Sequence, residues 1–395
     1  MRAIALRLAG VVMWTLALQA NSIAQTDDRS ATLAAKLVAD VLHVKAGDVI
    51  VITADVSEMT LVDDIALRVR QAGAFAVSDV SSNRAKKLYY GIVPEQYDSQ
   101  QPKDMLGLAS IATAFINIAY PYDRSINEGV SPARLNALRD AASPYADYLL
   151  KHDIPVINVG NGVFPSPGNA AHFGVSEDAL SALFWSGVNT DYAQVRRDAT
   201  LVSRVADGAH SVRITAPNGT DFSFRTVGGS AVMNDGSISE ANRRKGGAAL
   251  EKQLPAGDVY VLPEPGSAIG VIVFGTAPFR TGNLVGMTLR FAGGRMTVMR
   301  AASGGEPVQQ AYASASAGRD EFAWADFGVN RSMRLPPGTW GAGPSMVAGY
   351  VTAGLGNNLP QGGSDRSSFA FSSNIPDATV TVDGQTIIAA GNLAM

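Results

Sequence analysis

Between residues 26 and 197 the chain alternates short apolar runs with segments of helical periodicity. The first run, Val49–Thr53, is a continuous series of apolar and β-branched residues, which is typical of a strand buried on both faces. Later runs share this character: Phe75–Val80, Thr113–Ala119 and Ile154–Val159. Helical segments separate them, among them Ser131–Lys151 with its Ser-Pro start signal. Repeated strand–helix–strand units predict a doubly wound, mostly parallel sheet.

After residue 205 the sequence changes character, because helical periodicity fades and short β-rich runs alternate with Gly, Pro, Asn and Asp turns. These runs include Ser211–Thr215, Asp221–Thr226, Val259–Leu262, Val271–Phe274, Met287–Phe291, Met296–Met299, Tyr350–Leu355 and Thr379–Ile388. The pattern predicts an antiparallel, barrel-like β domain. We therefore divide the chain into an α/β domain at residues 26–205 and a β-rich domain at residues 206–395. Within the second domain, the Ala-, Ser- and Gly-rich stretch Ala301–Gly318 predicts a mobile segment.

Residues 1–24 have the pattern of an export signal. A positive start is followed by an apolar run at residues 9–18, which is too short to span a bilayer, and by a small-x-small cleavage pattern at residues 22–24. We expect cleavage after Ala24 and a periplasmic or secreted protein that is free of the membrane. The alternative is an uncleaved N-terminal anchor. With no Cys in the chain, stability must come from the core and not from disulfides.

Charge and residue content exclude several classes of site. The net charge is −3 at pH 7 and no basic block occurs, so nucleic-acid binding is not expected. The absence of Cys excludes thiolate metal sites and Cys nucleophiles. Every His precedes residue 211, so a metal site in the β-rich domain would need oxygen ligands, which suit calcium, magnesium or manganese better than zinc. Gly160-Asn161-Gly162 lacks the third glycine of a dinucleotide loop, and we expect no such cofactor.

Asp258 lies at the start of a predicted strand, directly after the turn Pro255–Gly257. A carboxylate in this place is held by rigid backbone and can point into a cleft, as metal ligands and catalytic acids do. The alternative is a turn Asp that hydrogen-bonds its own backbone. Spacing alone favours the turn Asp.

Several segments occur along the chain in an order that is typical of one enzyme family. They are Val44–Ala54, Gly187–Tyr192, Val212–Phe222, Leu254–Tyr260, Phe274–Arg295 and Val382–Gly384. In this order the chain resembles the aminopeptidase T family of thermophilic-type metallo-aminopeptidases. The resemblance implies an α/β domain and a β domain with a two-metal site that activates water, polarises the peptide carbonyl and anchors the substrate amine. It also implies that two copies pair as a homodimer.

The resemblance implies specific ligand positions in this chain. The first Glu ligand falls on Asp258 and the second on Asp326, or on Trp324 if no gap is allowed. The remaining positions, which hold His and Asp in the family, are replaced by Thr352, Ala370 and Ser372. Thr, Ala and Ser are poor or impossible zinc ligands, so tight metal binding is not expected.

Three functional interpretations follow. In the first, which the replacements favour, an exported family member has lost the metal chemistry, needs no cofactor and binds peptides or another small ligand in the inter-domain cleft. In the second, an active aminopeptidase holds zinc, cobalt, manganese or magnesium on a rebuilt oxygen-ligand site of Asp258 and Asp326, with Asp365 and Glu321 as additional ligands unless Asp365 is a surface acid. In the third, the chain is a structural or interaction module.

Overall fold

The computed structural model describes residues 28–121, 123–279, 282–336 and 344–395. The predicted export signal at residues 1–24 and its cleavage site lie outside the described residues. None of the helices in the described ranges is long and apolar enough to cross a membrane.

The strands are numbered here in chain order. Those of the first half are β1 (Val49–Asp55), β2 (Phe75–Ser81), β3 (Ala114–Ile118) and β4 (Val156–Val159). Those that follow are β5 (Val212–Thr215), β6 (Asp221–Phe224), β7 (Val232–Asn234), β8 (Glu251–Leu254), β9 (Asp258–Val261), β10 (Ile269–Val273), β11 (Ala277–Phe279), β12 (Gly282–Leu284), β13 (Thr288–Ala292), β14 (Arg295–Arg300), β15 (Phe322–Gly328), β16 (Val351–Gly356), β17 (Ala370–Asn374), β18 (Thr379–Val382), β19 (Gln385–Ala389) and β20 (Asn392–Leu393). The α-helices span Asp28–Lys36, Met59–Gln71, Asn83–Ile92, Lys103–Ile111, Pro132–Lys151, Pro167–Phe173, Glu177–Val188, Tyr192–Ala206, Glu240–Lys245 and Glu306–Ala313.

A five-stranded parallel sheet with the order β2-β1-β3-β4-β8 organises the first half of the chain. One face packs on helices Met59–Gln71 and Glu177–Val188 in a large apolar core, and the other packs on Lys103–Ile111 and Pro132–Lys151. The longest of these helices begins where the Ser131 hydroxyl accepts a hydrogen bond from a backbone N–H of the first turn. The predicted doubly wound parallel sheet is therefore confirmed.

The fifth strand of this sheet, β8, comes from beyond the predicted boundary at residue 205. Its sequence, Glu-Lys-Gln-Leu, lacks the apolar run that identified the other parallel strands, because one of its faces carries polar side chains. The parallel sheet is thus not confined to residues 26–205, and the chain crosses between the two halves more than once.

Besides the two-stranded pair β11-β12, the β-rich half contains two antiparallel sheets that share one apolar core. The larger has the order β14-β13-β10-β6-β5-β18-β19-β20 and the smaller the order β17-β16-β15-β9-β7. Aromatic side chains join them: the rings of Phe222 in β6 and Phe322 in β15 lie 4.7 Å apart, edge to face. The predicted antiparallel β-rich half is confirmed, and it is built from two packed sheets where a barrel-like sheet is expected from the sequence.

The stretch Ala301–Gly318, predicted to be mobile, contains the helix Glu306–Ala313. Val308 and Ala311 on this helix are buried in the core of the β-rich half. Their three-residue spacing places both on one helical face. Burial of this face stabilises the helix despite the Ala, Ser and Gly residues around it.

Candidate functional site

One face of the smaller antiparallel sheet carries the five ligand positions that the family resemblance implies. Strand pairing places Asp326 directly opposite Thr352, and it places Asp258 two residues along from Asp326 on the same face. In the next strand pair, Ala370 and Ser372 lie opposite glycines of that face. Because side chains alternate along a strand, all these positions project to one side of the sheet, away from the apolar core on the other side. The structure therefore brings them together.

Asp258 and Asp326 form a buried pair, and each has an exposed fraction of 0%. Burial raises the pKa of Asp258 to about 6, against the opposing effects of the polar side chains of Asn234 and Ser345 and of the nearby Lys252 charge. Burial and the charge of Asp258 together raise the pKa of Asp326 well above its usual value. At neutral pH the two carboxyl groups therefore resist simultaneous ionisation.

Several buried oxygens of this pair and of the neighbouring Thr352 have no well-directed hydrogen-bond donor within the described ranges. They are Asp258 Oδ1, both carboxyl oxygens of Asp326 and the hydroxyl of Thr352. Asp258 Oδ2 does have a donor, the Ser345 hydroxyl at 3.1 Å. Buried carboxyl oxygens without donors are costly, and a bound proton or a hard cation relieves that cost.

Aromatic rings occupy the same face beside the carboxyl pair. Trp324 lies two residues before Asp326, and a Cβ at Gly354 would collide with its indole. Gly354 pairs with Trp324 in β15 and with Ser372 in β17. The indole therefore covers the sheet at Gly354, between these two strands. The ring of Tyr260 packs edge to face on Trp324, with centroids 5.5 Å apart. Aromatic side chains therefore fill the space between the carboxyl pair and the positions of Ala370 and Ser372.

A cleft opens beside these rings, between helix Pro132–Lys151 and the β-rich half. It has a volume of about 370 Å³, and both Trp324 and Ala370 line it. Arg139 on the helix donates to the carbonyl oxygen of Ser368 at 3.2 Å, which holds the helix against the β-rich half. Arg366 also lines the cleft and is paired with a carboxylate of the same helix. The cleft thus combines an apolar floor with guanidinium groups at its wall.

The two additional candidate acids do not join the pair. Glu321 and Asp365 line a separate cavity. Glu321 is paired with Arg295 at 2.5 Å, and Asp365 accepts a hydrogen bond from the backbone N–H of Ser367 at 3.1 Å. Glu321 is therefore held in an ion pair in another part of the β-rich half, and Asp365 keeps one buried carboxyl oxygen, Oδ2, without a donor among the described residues.

Comparison with known proteins decides the family. The model of the thermophilic metalloprotease (M29) family matches residues 26–319. The chain belongs to the M29 family. The fold is similar to that of AmpT from Thermus thermophilus, with a TM-score of 0.68 and 17% identity over 93% of this chain and 99% of that chain. It is also similar to a 2,5-dihydroxypyridine dioxygenase from Pseudomonas putida KT2440, with a TM-score of 0.60 and 12% identity over 94% of this chain and 98% of that chain. No curated protein matches the chain.

The family resemblance stated from the sequence is thus confirmed, and the M29 description implies a divalent metal. The residues present do not fit a two-metal centre. Across the described parts of the chain, no group of three or more His, Cys, Asp or Glu side chains is arranged to hold a metal. Ala370 offers no ligand atom, and the neutral hydroxyl of Ser372 is exposed. Two carboxylates cannot supply the ligands that a pair of metal ions requires.

Two residues of this site, Lys252 and Ser345, were not predicted from the sequence. Lys252 has an exposed fraction of 0%, and its ammonium donates to Asp235 at 3.0 Å and to the carbonyl oxygen of Met233 at 2.6 Å. Ser345 holds one oxygen of Asp258. A polar residue in the middle of a short strand is a weak signal for Lys252.

Proposed function

We propose that this chain is an exported M29-family protein that binds short peptides in the cleft lined by Trp324 and Ala370, and that it does not cleave them. The observation that carries the proposal is the indole of Trp324 lying over Gly354, in the middle of the face where the family's ligand positions meet. An aromatic ring there supplies stacking and apolar contact in place of metal ligands. The similarity of the fold to a protein named as a dioxygenase supports the view that this architecture hosts more than one chemistry.

The edge of the smaller sheet supports peptides as the ligand class. Strand β17 is an edge strand, and its exposed residues Ala370 and Ser372 alternate with buried Phe371 and Ser373. An edge strand offers unpaired backbone groups, which an extended peptide can pair with by strand addition. The guanidinium of Arg366 at the cleft wall suits the terminal carboxylate of a short peptide.

Export and pairing are further parts of the proposal. Export rests on the pattern of residues 1–24, and N-terminal sequencing of the protein recovered outside the cytoplasm tests it. Pairing of two copies rests on membership of the family, and light scattering of the purified protein tests it.

A second candidate function is favoured by the unpartnered oxygens. The carboxyl oxygens of Asp258 and Asp326 and the hydroxyl of Thr352 are buried on one face and suit a single hard cation, such as magnesium or manganese. A metal-dependent peptidase activity on this single site is the alternative to peptide binding without cleavage.

One experiment separates the two candidates. The mature protein is dialysed into metal-free buffer, its metal content is measured, and hydrolysis of Leu- and Arg-aminoacyl reporters is followed with zinc, cobalt, manganese or magnesium added. We expect no stoichiometric metal and no hydrolysis above that of buffer, because most ligands are replaced. Retained metal together with cleavage that is lost in both Asp258→Asn and Asp326→Asn would overturn the proposal.

Peptide binding has its own test. A tripeptide library is screened by thermal shift, and the affinity of the best tripeptide is measured by calorimetry. We expect Arg366→Gln to weaken that affinity about tenfold, since one charge-assisted hydrogen bond to the peptide carboxylate is lost. Arg213→Gln is the matched control, because Arg213 also forms a half-exposed ion pair with an Asp but lies in the larger sheet. Equal affinities of the two variants would exclude the cleft as the binding site.

A further inference from the structure

On one face of the parallel sheet, the side chains change from apolar to polar towards the carboxyl ends of the strands. On each of four strands an apolar residue is followed, two positions later, by a polar one: Val51 and Thr53, Val77 and Asp79, Phe115 and Asn117, Val156 and Asn158. Strand β8 adds Gln253 at the same level, opposite Asn158. Parallel strands are normally apolar on both faces. A row of polar side chains across all five strands therefore needs an explanation other than packing.

Hydrogen bonds connect the row into a ladder. The hydroxyl of Thr53 donates to Asn117 Oδ1 at 2.8 Å, and Asn117 Nδ2 donates to Asn158 Oδ1 at 3.0 Å. Asn158 Nδ2 donates in turn to the carboxylate of Glu251 at 2.9 Å. Burial raises the pKa of Glu251 to about 7, against the opposing effect of that hydrogen bond. The amides of Asn117 and Asn158 are thus held in one orientation, as a preorganised binding surface requires.

The ladder forms the floor of a cavity of about 570 Å³. The strand order reverses its direction between β1 and β3, so the cavity lies at the switch point of the sheet, where ligands of doubly wound folds bind. Its volume is within the range of small-molecule sites. None of its lining residues lines the cleft beside Trp324, so the cavity is separate from the site of the proposed function.

The lining has a consistent chemistry. Amides, tyrosines and one carboxylate surround the cavity: Asn117, Asn158, Asn161, Gln253, Tyr120, Tyr145 and Asp79. Among the described lining residues none is Lys, Arg or His, so an anionic ligand would contact no cation of this part of the lining. The side-chain amide of Gln253 makes no hydrogen bond to any described residue and is free to donate and accept. These groups suit a ligand whose own groups both donate and accept hydrogen bonds and carry no negative charge.

We propose that this cavity binds a small uncharged polyhydroxy molecule of the size of a monosaccharide. Each hydroxyl both donates and accepts, which matches the amides of Asn158 and Gln253. The carboxylate of Asp79 accepts from hydroxyls, and the ring of Tyr145 offers an apolar wall to the C–H face of a sugar.

Calorimetric titration with glucose, galactose, mannose and ribose tests this proposal, with glucose 6-phosphate as the anionic comparison. We expect at least one neutral sugar to bind with a Kd below about 10 mM and glucose 6-phosphate to bind at least tenfold more weakly. Gln253→Leu and Asp79→Asn should each weaken the neutral sugar about tenfold while leaving Tm unchanged. Gln385→Leu, an exposed strand glutamine of the larger sheet, is the matched control and should bind as the unaltered protein does.

Three results would overturn the proposal: no neutral sugar of the panel binds at about 10 mM, glucose 6-phosphate binds as tightly as the best neutral sugar, or both variants bind as well as the control. Because Asp79 is exposed, Asp79→Asn is expected to fold, so the test does not depend on the more enclosed Gln253. Peptide binding in the other cleft is measured separately, and its failure leaves this outcome unaffected.

Discussion

Replacement of Lys252 by Met is expected to lower the free energy of unfolding by about 3 kcal/mol. The ammonium of Lys252 is fully buried and donates to Asp235 and to a backbone carbonyl. Burial lowers the pKa of Lys252, and the charge of Asp235 opposes this shift. Once the ammonium is removed, Asp235 keeps only Arg196, at 2.9 Å and half-exposed, so a buried carboxylate is left under-compensated.

Chemical denaturation followed by Trp fluorescence measures this loss. The double variant Lys252→Met with Asp235→Leu removes both charges from the interior and should recover part of the stability, since Arg196 can turn to water. Lys103→Met, at an exposed helix position, is the control and should change little. A single variant as stable as this control would show that the buried pair contributes nothing to the fold.

Asp326→Asn is expected to act in the opposite direction and to stabilise the protein at pH 7. The amide carries no charge, and it can donate to the neighbouring carboxylate of Asp258. Burial and the charge of Asp258 raise the pKa of Asp326 well above 3.8, so ionising this carboxyl in the folded protein is costly. A raised carboxyl pKa in the folded state means that ionisation opposes folding, so the cost is absent below pH 3.8 and grows as the pH rises above it.

The difference in unfolding free energy between Asp326→Asn and the unaltered protein should therefore be largest near pH 7 and vanish below about pH 4. Asp377→Asn, on an exposed turn, serves as the control and should show no such pH dependence. A variant that is less stable than the unaltered protein at pH 7, with a difference that a chelator abolishes, would indicate a bound cation and support the alternative function.

The parallel sheet could be predicted because its strands need continuous apolar runs, and Val49–Thr53 is such a run. The strand Glu251–Leu254 could not, because its partners lie about a hundred residues earlier in the chain and its polar side chains face a cavity. Residue spacing does not encode this pairing. The helix Glu306–Ala313 was not predicted, because the Ala-, Ser- and Gly-rich composition around it indicates a mobile segment. The spacing of Val308 and Ala311 is the signal that indicates a helix.

The sequence supplied the candidate ligand positions but not their surroundings. The family alignment assigned Asp258 and Asp326 to the two acidic ligand positions, and in the structure both lie on one sheet face. Their complete burial and the charge of Lys252 behind them depend on contacts between the two halves of the chain, which no local pattern reports. The ring of Trp324 over Gly354 follows from strand register, which an alignment of single segments does not supply.

Strand β8 has a consequence for how the protein can be divided. The α/β half obtains its fifth strand from a segment that continues, after a short turn, into β9 of the other half. A fragment that ends at residue 205 would leave β4 with an open flank of unpaired backbone groups, which invites aggregation. We therefore expect the two halves to unfold together, since an α/β fragment that ends at residue 205 lacks its fifth strand.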